Sequence, residues 1–190
     1  KKFIIHQSNF FHFYKWLEKN NCKKIYKKRL ISSIYFDNKY MQMYSDSDEG
    51  TLPRKKIRLR NYNNNSNDYL LEKKISSPEG RFKISQKKSD IKILKDYGIF
   101  DSQYGICKPI LTVSYLREYF TFNEYRITFD VNISYNKVNS NFKLKDNLNF
   151  IEFKKKNMIN DNLNFKFPYS ESRFSKYSRG FELINGRLPK

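Results

Sequence analysis

Five segments of the chain alternate apolar and charged side chains, and this alternation limits the fold more than any other feature. Successive residues of a β-strand point to opposite faces of its sheet. In Ile57–Arg60 the two apolar side chains therefore share one face, while Arg58 and Arg60 share the other. The same division occurs in four further segments, which are Leu71–Ile75, Tyr115–Arg117, Tyr125–Asp130 and Phe150–Lys154. The pattern predicts antiparallel strands with one apolar and one charged face.

The charged face of these strands is rich in arginine, which is unusual for an ordinary solvated sheet surface. Arginine occurs at Arg58, Arg60, Arg117 and Arg126. A guanidinium group can donate two parallel hydrogen bonds to a phosphate, whereas lysine acts as a point charge. Acids accompany these bases, as Glu152 stands two residues before Lys154. We predict that the charged face lines a phosphate-binding cavity, and a solvated outer face of a sheet is the alternative.

The remaining segments predict helices that cover the apolar face of the sheet. Phe10, Phe11, Tyr14 and Leu17 follow helical spacing after Ser8, which is a suitable N-terminal cap. Ile31–Phe36 reads as a strand, and Ser172–Leu183 reads as a helix. We therefore predict an α+β fold, an antiparallel β-barrel with helices packed on the outside, as a single domain over residues 1–190. The sequence begins at Lys1 without a methionine, so we expect a longer natural chain.

The net charge restricts the partners of the protein. Lysine and arginine number 38 against 19 aspartates and glutamates, a formal net charge of +19. Such a field attracts polyanions. Cys22 and Cys107 form no CxxC pair, so neither a disulfide framework nor a zinc site is indicated. This cysteine usage fits a location in the cytoplasm or on the cytoplasmic face of a membrane. The sequence has no apolar run near the ~18 residues that a membrane span needs.

Seven motifs resemble those of the VTC domain family, in the order in which that family carries them. They are Ser33–Asn38, Ile57–Arg60, Leu71–Lys74, Ser114–Arg117, Arg126–Asp130, Ile151–Lys154 and Phe174–Tyr177. The resemblance implies the CYTH-like, triphosphate tunnel metalloenzyme fold. In that family, enzymes transfer the terminal phosphoryl group of ATP to a growing polyphosphate chain and favour manganese.

The resemblance also implies roles for individual residues. The catalytic residues would be Arg58, Arg60, Lys74, Arg117, Arg126 and Lys176. Further phosphate contacts would come from Lys2, Lys83, Tyr115, Lys154 and Ser175. Glu152 would bind the divalent metal, Mn²⁺ or alternatively Mg²⁺, and Glu72 is a second candidate ligand.

Several functions are compatible with these residues. The first is an ATP–polyphosphate phosphotransferase, with ATP and inorganic polyphosphate as partners and membrane-bound subunits as further candidates. A triphosphatase and a non-catalytic sensor of polyphosphate or inositol pyrophosphate are alternatives on the same fold. A single-strand nucleic-acid binder is a fourth, disfavoured because no such motif occurs. The sequence lacks GxxxxGK[ST], GxGxxG and a kinase catalytic loop, which disfavours P-loop and protein-kinase functions.

Overall fold

The structure is a computed structural model that describes residues 1–63, 69–155 and 165–187. Its strands are β1 (Lys2–Ile5), β2 (Lys23–Asp37), β3 (Arg54–Tyr62), β4 (Tyr69–Ser77), β5 (Gly80–Lys88), β6 (Ile99–Asp101), β7 (Gly105–Phe122), β8 (Tyr125–Lys137), β9 (Lys143–Lys145) and β10 (Asn149–Lys155). Its helices are α1 (Phe10–Lys19), α2 (Gln42–Glu49), α3 (Ile91–Tyr97) and α4 (Lys176–Ile184).

The strands form one sheet in the order β1-β10-β8-β7-β2-β3-β4-β5, with β6 paired to β7 and β9 to β8. The pairs β1–β10, β10–β8, β2–β3, β3–β4, β4–β5 and β6–β7 are all antiparallel. The predicted α+β class, built on an antiparallel sheet, is confirmed. None of the helices in the described residues is long and apolar enough to cross a membrane.

The chain groups into two compact units. Unit 1 comprises Lys1–Leu30, Tyr115–Ile133 and Lys145–Phe174, and unit 2 comprises Ile31–Ser114, Ser134–Leu144 and Ser175–Lys190. The long strands β2, β7 and β8 contribute residues to both units. The single domain over residues 1–190 stays a prediction.

The core of unit 1 is dominated by aromatic rings. Phe13 and Leu17 of α1 are buried against the strands, and the Phe13 ring lies 4.8 Å from that of Phe129 on β8. Ile127, Phe129, Ile151 and Phe153 are buried in the same core, as the alternation in β8 and β10 predicts. Helix α1 thus covers the apolar face of these strands.

The core of unit 2 lies on the apolar face of β3 and β4. Ile57 and Leu59 on β3 are fully buried and pack with Leu71 on β4. Met43 of α2 belongs to this core, and Leu94 of α3 packs against it. Arg58 and Arg60 alternate with the two buried β3 residues and therefore belong to the other face.

The start of α1 differs from the sequence prediction. Ser8 lies inside a 3-10 turn over Gln7–Asn9, and the cap residue of α1 is Asn9. Phe11 is 64% exposed, whereas Phe13, which the predicted face omitted, is fully buried. The helix begins one residue later than predicted, and the face that meets the strands is centred on Phe13 and Leu17.

Two strands differ from the sequence prediction. Strand β2 begins at Lys23 rather than Ile31, because hydrogen bonding extends through a basic segment that shows no apolar alternation. Strand β5 was not recognised, because most of its side chains are exposed and give it no apolar face. The predicted hairpin of β3 and β4 is confirmed, although most of its loop, residues 64–68, lies outside the described residues.

Gly180 in α4 is required by close packing. A Cβ atom built there would lie 2.4 Å from Cδ1 of Tyr135 and 3.0 Å from Cδ2 of Leu111. Tyr135 is fully buried, so its ring is surrounded by other atoms of the core. We expect Gly180→Ala to lower the free energy of unfolding by about 1–3 kcal/mol, the usual cost of overpacking. Urea denaturation measures it, with Lys92→Ala on the exposed side of α3 as the control. A gain in stability, as expected from helix propensity alone, would contradict this packing.

Candidate phosphate-binding site

The predicted site residues divide between the two units. Unit 2 contains Arg58, Arg60, Glu72, Lys74, Lys83, Ser175 and Lys176. Unit 1 contains Lys2, Tyr115, Arg117, Arg126, Glu152 and Lys154. The geometry of each set is described separately, and the convergence of both sets in one cavity stays a prediction.

Four of the unit 2 residues form an ion-pair network that we call the Glu72 cluster: Arg58, Arg60, Glu72 and Lys83. The Glu72 side chain is 1% exposed, and its Oε2 lies 2.7 Å from Nε and 2.6 Å from Nη2 of Arg58. Lys83 Nζ lies 2.5 Å from the other oxygen, and Arg60 Nε lies 3.8 Å from Oε2. The register explains this arrangement, because Arg58 and Glu72 are directly opposite on β3 and β4.

The electrostatic potential at the Glu72 cluster is positive, as the pKa values of two buried side chains indicate. Burial alone would raise the pKa of the Glu72 carboxyl, but Arg58, Arg60 and Lys83 outweigh it and lower the pKa to about 2. Tyr35, opposite Arg58 on β2, is buried, which raises its pKa, yet the nearby Arg58, Arg60 and Lys56 lower it overall. A buried phenol with a lowered pKa indicates a strongly positive local potential.

A row of three lysines continues the charged face beside this cluster. Lys56, Lys74 and Lys83 are directly opposite one another on β3, β4 and β5. Like charges in this position destabilise a sheet, and an anion would relieve the repulsion. Lys56 was missed in the sequence, although it stands two residues before Arg58 and so shares its face.

The first turn of α4 adjoins this lysine row. Ser175 caps the helix by accepting from the backbone N–H of Ser178, and it also accepts from Lys56 Nζ at 2.8 Å. Lys176 is the first residue of α4. Ser175 is thus already hydrogen-bonded as a cap, and its predicted phosphate contact would share the hydroxyl with Lys56.

Tyr177 fastens the beginning of α4 to β2. Its ring stacks on Tyr35 with centroids 5.0 Å apart, and its hydroxyl donates to the Asp37 carboxylate. Burial, with Asp37 beside it, raises the pKa of Tyr177. The Tyr35 hydroxyl accepts from Arg58 at 3.0 Å. Tyr177 and Tyr35 therefore link the placement of Lys176 to that of Arg58.

Asp37 anchors the turn after β2, as its position at the strand end predicts. It accepts hydrogen bonds from the backbone N–H groups of Asn38, Met43 and Tyr44. Its role is therefore structural, because its oxygens are engaged in holding α2 and Tyr177.

In unit 1, Arg117 and Asp130 form a two-point ion pair. Arg117 Nε and Nη2 donate to the two carboxylate oxygens of Asp130 at 2.6 and 2.7 Å. Burial alone would lower the pKa of Arg117, but Asp130 raises it well above its ordinary value, with a smaller effect from Glu152. The guanidinium also lies over the Tyr115 ring, 5.2 Å from its centroid.

The remaining unit 1 residues surround Glu152 on the same face. Lys2 on β1 and Thr128 on β8 are its partners in register, and Lys154 Nζ lies 3.7 Å from Oε1. Lys2 Nζ donates to the carbonyl of Phe174. Arg126 is exposed and directly opposite Lys154. Unit 1 thus brings four predicted phosphate-binding cations to one face of its sheet, namely Lys2, Arg117, Arg126 and Lys154.

The donors present suit a divalent cation that is only partly coordinated by protein. Among the described residues, no three His, Cys, Asp or Glu side chains are placed so that they could hold a metal ion together. Glu152 has the buried Thr128 hydroxyl across from it, and that hydroxyl has no partner among the described residues. Mn²⁺ and Mg²⁺ accept such sites, with one or two carboxylates completed by phosphate and water. Glu152 therefore fits this role better than Glu72, whose carboxylate lies 2.6 Å from Arg58 and 2.5 Å from Lys83.

Acidification tests the Glu72 cluster. A carboxyl with a lowered pKa contributes stability that is complete above its unfolded pKa, about 4.5, and is lost as the pH falls toward about 2. We expect Glu72→Gln to be less stable than the parent by about 3 kcal/mol at pH 6, with the difference shrinking between pH 5 and 2. Urea denaturation across this range measures it, with Glu49→Gln on α2 as an exposed control. A difference that is independent of pH would contradict the ion-paired state.

Comparison with known proteins identifies the relationships of this fold. HpAC1 from Hippeastrum, a candidate adenylyl cyclase described as having a dominant triphosphatase activity, is similar with a TM-score of 0.50 and 12% identity, over 99% of this chain and 96% of that one. The PH1012 protein from Pyrococcus horikoshii OT3 is similar with a TM-score of 0.48 and 15% identity, over 83% of this chain and 80% of that one.

A candidate adenylate cyclase from Vibrio parahaemolyticus is similar with a TM-score of 0.46 and 12% identity, over 80% of this chain and 73% of that one. A search of curated proteins gave no match. The family model of the VTC domain matches residues 1–185. This match confirms the predicted family and the triphosphate tunnel fold class, and the chain belongs to the VTC domain family.

Proposed function

We propose that this protein is a metal-dependent phosphotransferase that transfers the γ-phosphoryl group of ATP to a growing inorganic polyphosphate chain. The observation that carries the proposal is the Glu72 cluster, in which two arginines and a lysine are held around one buried carboxylate. The family, the charge of +19 and the second arginine–carboxylate pair in unit 1 support it.

Phosphoryl transfer requires mainly positioning and positive charge near the phosphate oxygens. Arg58 is held by both Glu72 and Tyr35, so its guanidinium is oriented before a ligand arrives. Lys56, Lys74 and Lys83 add point charges along the same face. Cations fixed in this way need little reorganisation when negative charge develops, which is the most effective electrostatic contribution to catalysis.

Glu152 is the residue that would hold the divalent cation. Such an ion would supply positive charge that offsets the charge of the phosphate oxygens. Lys154 and Lys2 flank Glu152 and would bind oxygens of the same phosphates. Arg117, oriented by Asp130, would bind a further phosphate.

The state of Glu72 and Asp130 favours phosphate over water as the acceptor. A hydrolase must orient or deprotonate its water, which calls for a carboxylate able to accept a proton. Glu72 has a pKa of about 2 and is a poor base, and Asp130 is bound at both oxygens by Arg117. A terminal phosphate of polyphosphate is already an anion and needs no base.

A triphosphatase is the second candidate, because HpAC1 shares the fold and is described as having a dominant triphosphatase activity. A non-catalytic sensor of polyphosphate or inositol pyrophosphate is the third. We propose ATP and polyphosphate as the partners, and a location in the cytoplasm or on the cytoplasmic face of a membrane.

Incubation with ATP and Mn²⁺ or Mg²⁺ separates these functions. We expect chains of polyphosphate, visible by gel electrophoresis, to accumulate. One ADP should be released for each phosphoryl group that is transferred. Free phosphate without polymer would instead support the triphosphatase. Neither product, together with measurable polyphosphate binding, would support the sensor. Arg58→Lys is a useful variant, because it keeps the charge but removes the two-point geometry, and we expect its turnover to fall by at least about tenfold.

The metal assignment is tested by paired variants. Glu152→Gln keeps the shape of the side chain but removes the charge that a hard cation prefers. We expect this variant to lose Mn²⁺ affinity, measured by electron paramagnetic resonance, and to lose turnover. Glu72→Gln should keep Mn²⁺ affinity while weakening phosphate binding. If Glu152→Gln binds Mn²⁺ and turns over ATP like the parent, the assignment is wrong.

A further inference from the structure

Four large apolar residues of unit 2 lie exposed in one short stretch of the chain. They are Ile93 and Tyr97 on α3, Phe100 on β6 and Ile106 on β7, and each is more than half exposed. We call these four side chains the Phe100 patch. Single apolar residues on a protein surface are ordinary, whereas a cluster of them indicates an interaction site.

The members of the Phe100 patch are neighbours in space as well as in sequence. Ile93 and Tyr97 are one helical turn apart on the exposed side of α3. Gly98 follows Tyr97 and lies against β7, since a Cβ atom built at Gly98 would be 3.4 Å from Cγ2 of Ile106. Phe100 and Ile106 are directly opposite each other in the register of β6 and β7. The four side chains therefore form one surface.

The core beneath the patch holds Phe100 in its outward position. Phe100 alternates along β6 with Ile99 and Asp101, and both of these are buried. The Asp101 carboxylate lies 2.8 Å from Lys55 Nζ and 3.3 Å from Lys73 Nζ. Turning Phe100 inward would expose Ile99 and break both ion pairs, because a one-residue slip exchanges the two faces of a strand. The exposure of the patch is thus built into the fold.

The charge around the patch is balanced, unlike the charge of the whole chain. Residues 89–108 contain three lysines and three aspartates, whereas the full sequence has 38 lysines and arginines against 19 aspartates and glutamates. A polyanion or an anionic membrane gains little from a surface without an excess of positive charge. A second copy of this chain, which also carries a net charge of +19, meets less repulsion here than at the basic faces.

The rim of the patch on α3 suits two copies related by a two-fold axis. Lys92 and Asp96 are both exposed and are one helical turn apart on the same side of α3. Two α3 helices packed antiparallel through Ile93 and Tyr97 would place Lys92 of each copy opposite Asp96 of the other, because the axis reverses the order of the two residues. The rim is therefore self-complementary in charge.

We propose that the Phe100 patch is the centre of an interface between two copies of this chain, related by a two-fold axis. The rings of Tyr97 and Phe100 alone expose roughly 300 Å², and a standard interface buries about 800 Å² on each partner. With the two isoleucines and the rim of α3 added, the contact is at the small end of this range. We expect a dissociation constant of about 1–100 μM. The interface goes beyond the proposed function and does not depend on it.

Sedimentation equilibrium measures the dimer at about 0.15 M salt, where charges more than about 8 Å apart are largely screened. The test variant is Tyr97→Ser/Phe100→Ser, at residues that are 75% and 73% exposed. The matched control is Phe11→Ser/Tyr40→Ser, which removes the same two kinds of ring from residues that are 64% and 69% exposed. We expect the test variant to raise the dissociation constant by at least about tenfold, because each substitution acts twice in a two-fold interface. The control should leave it unchanged.

A second set of variants tests the two-fold geometry through the rim. Lys92→Asp and Asp96→Lys each place like charges opposite one another, so either substitution alone should weaken the dimer. The double variant Lys92→Asp/Asp96→Lys restores opposite charges without changing the net charge of the chain. We expect it to recover the dissociation constant of the parent.

A parent protein that stays monomeric up to roughly 1 mM would overturn the proposal. Equal losses in the test and control variants would also overturn it, as would a double rim variant weaker than both single variants. Vesicles of phosphatidylcholine and phosphatidylserine distinguish a membrane from a second copy. If the parent binds these vesicles without forming a dimer, and only the test variant loses that binding, the patch belongs to a membrane contact and the proposal is wrong.

Discussion

The buried carboxylate of Glu72 makes the arrangement of cations in unit 2 physically tenable. Removing an ion from water costs several kcal/mol unless partners replace the lost hydration, and Arg58, Arg60 and Lys83 supply those partners. Glu72 stabilises the cations in turn, because they would repel one another without its negative charge. The apolar face of β3 and β4 then fixes the strands, so the guanidinium groups are oriented by the core beneath them. The orientation of these cations and the folding stability of unit 2 are consequently coupled at one residue.

In unit 1, different acidic residues offset the repulsion between the cations. Arg117 is held at two points by Asp130, while Lys154 lies near Glu152. In both units an acid stands on the charged face close to the cations, and neutralises only part of their charge. Arg126 and Lys154 are directly opposite each other on β8 and β10, so this face keeps an excess of positive charge. Like charges held close together in this way cost some stability as long as no anion is bound.

The sequence predicted the parts of the fold that depend on local alternation. Strands β3, β4, β8 and β10 were identified because apolar residues recur at every second position and pack in the core. The basic first half of β2, most of β5 and the beginning of α1 gave no such signal. Their structure depends on hydrogen bonds to neighbouring strands, or on which helical face meets a distant core. Lys56 was missed for a simpler reason, since the alternation was not followed one step further along β3.

By itself, the sequence determined which side chains share a face, because strand periodicity is a local property of the backbone. The assignment of Arg58, Arg60, Glu72 and Lys74 to one charged face, and the family motifs, required nothing more. Only the tertiary structure decided the pairings: Glu72 with Arg58 and Lys83, Asp130 with Arg117, and Tyr177 with Asp37. Those pairings depend on the register between strands and on the docking of α4, which bring together residues up to 140 positions apart. Contacts over such distances are set by the packing of the whole core, which no short segment encodes.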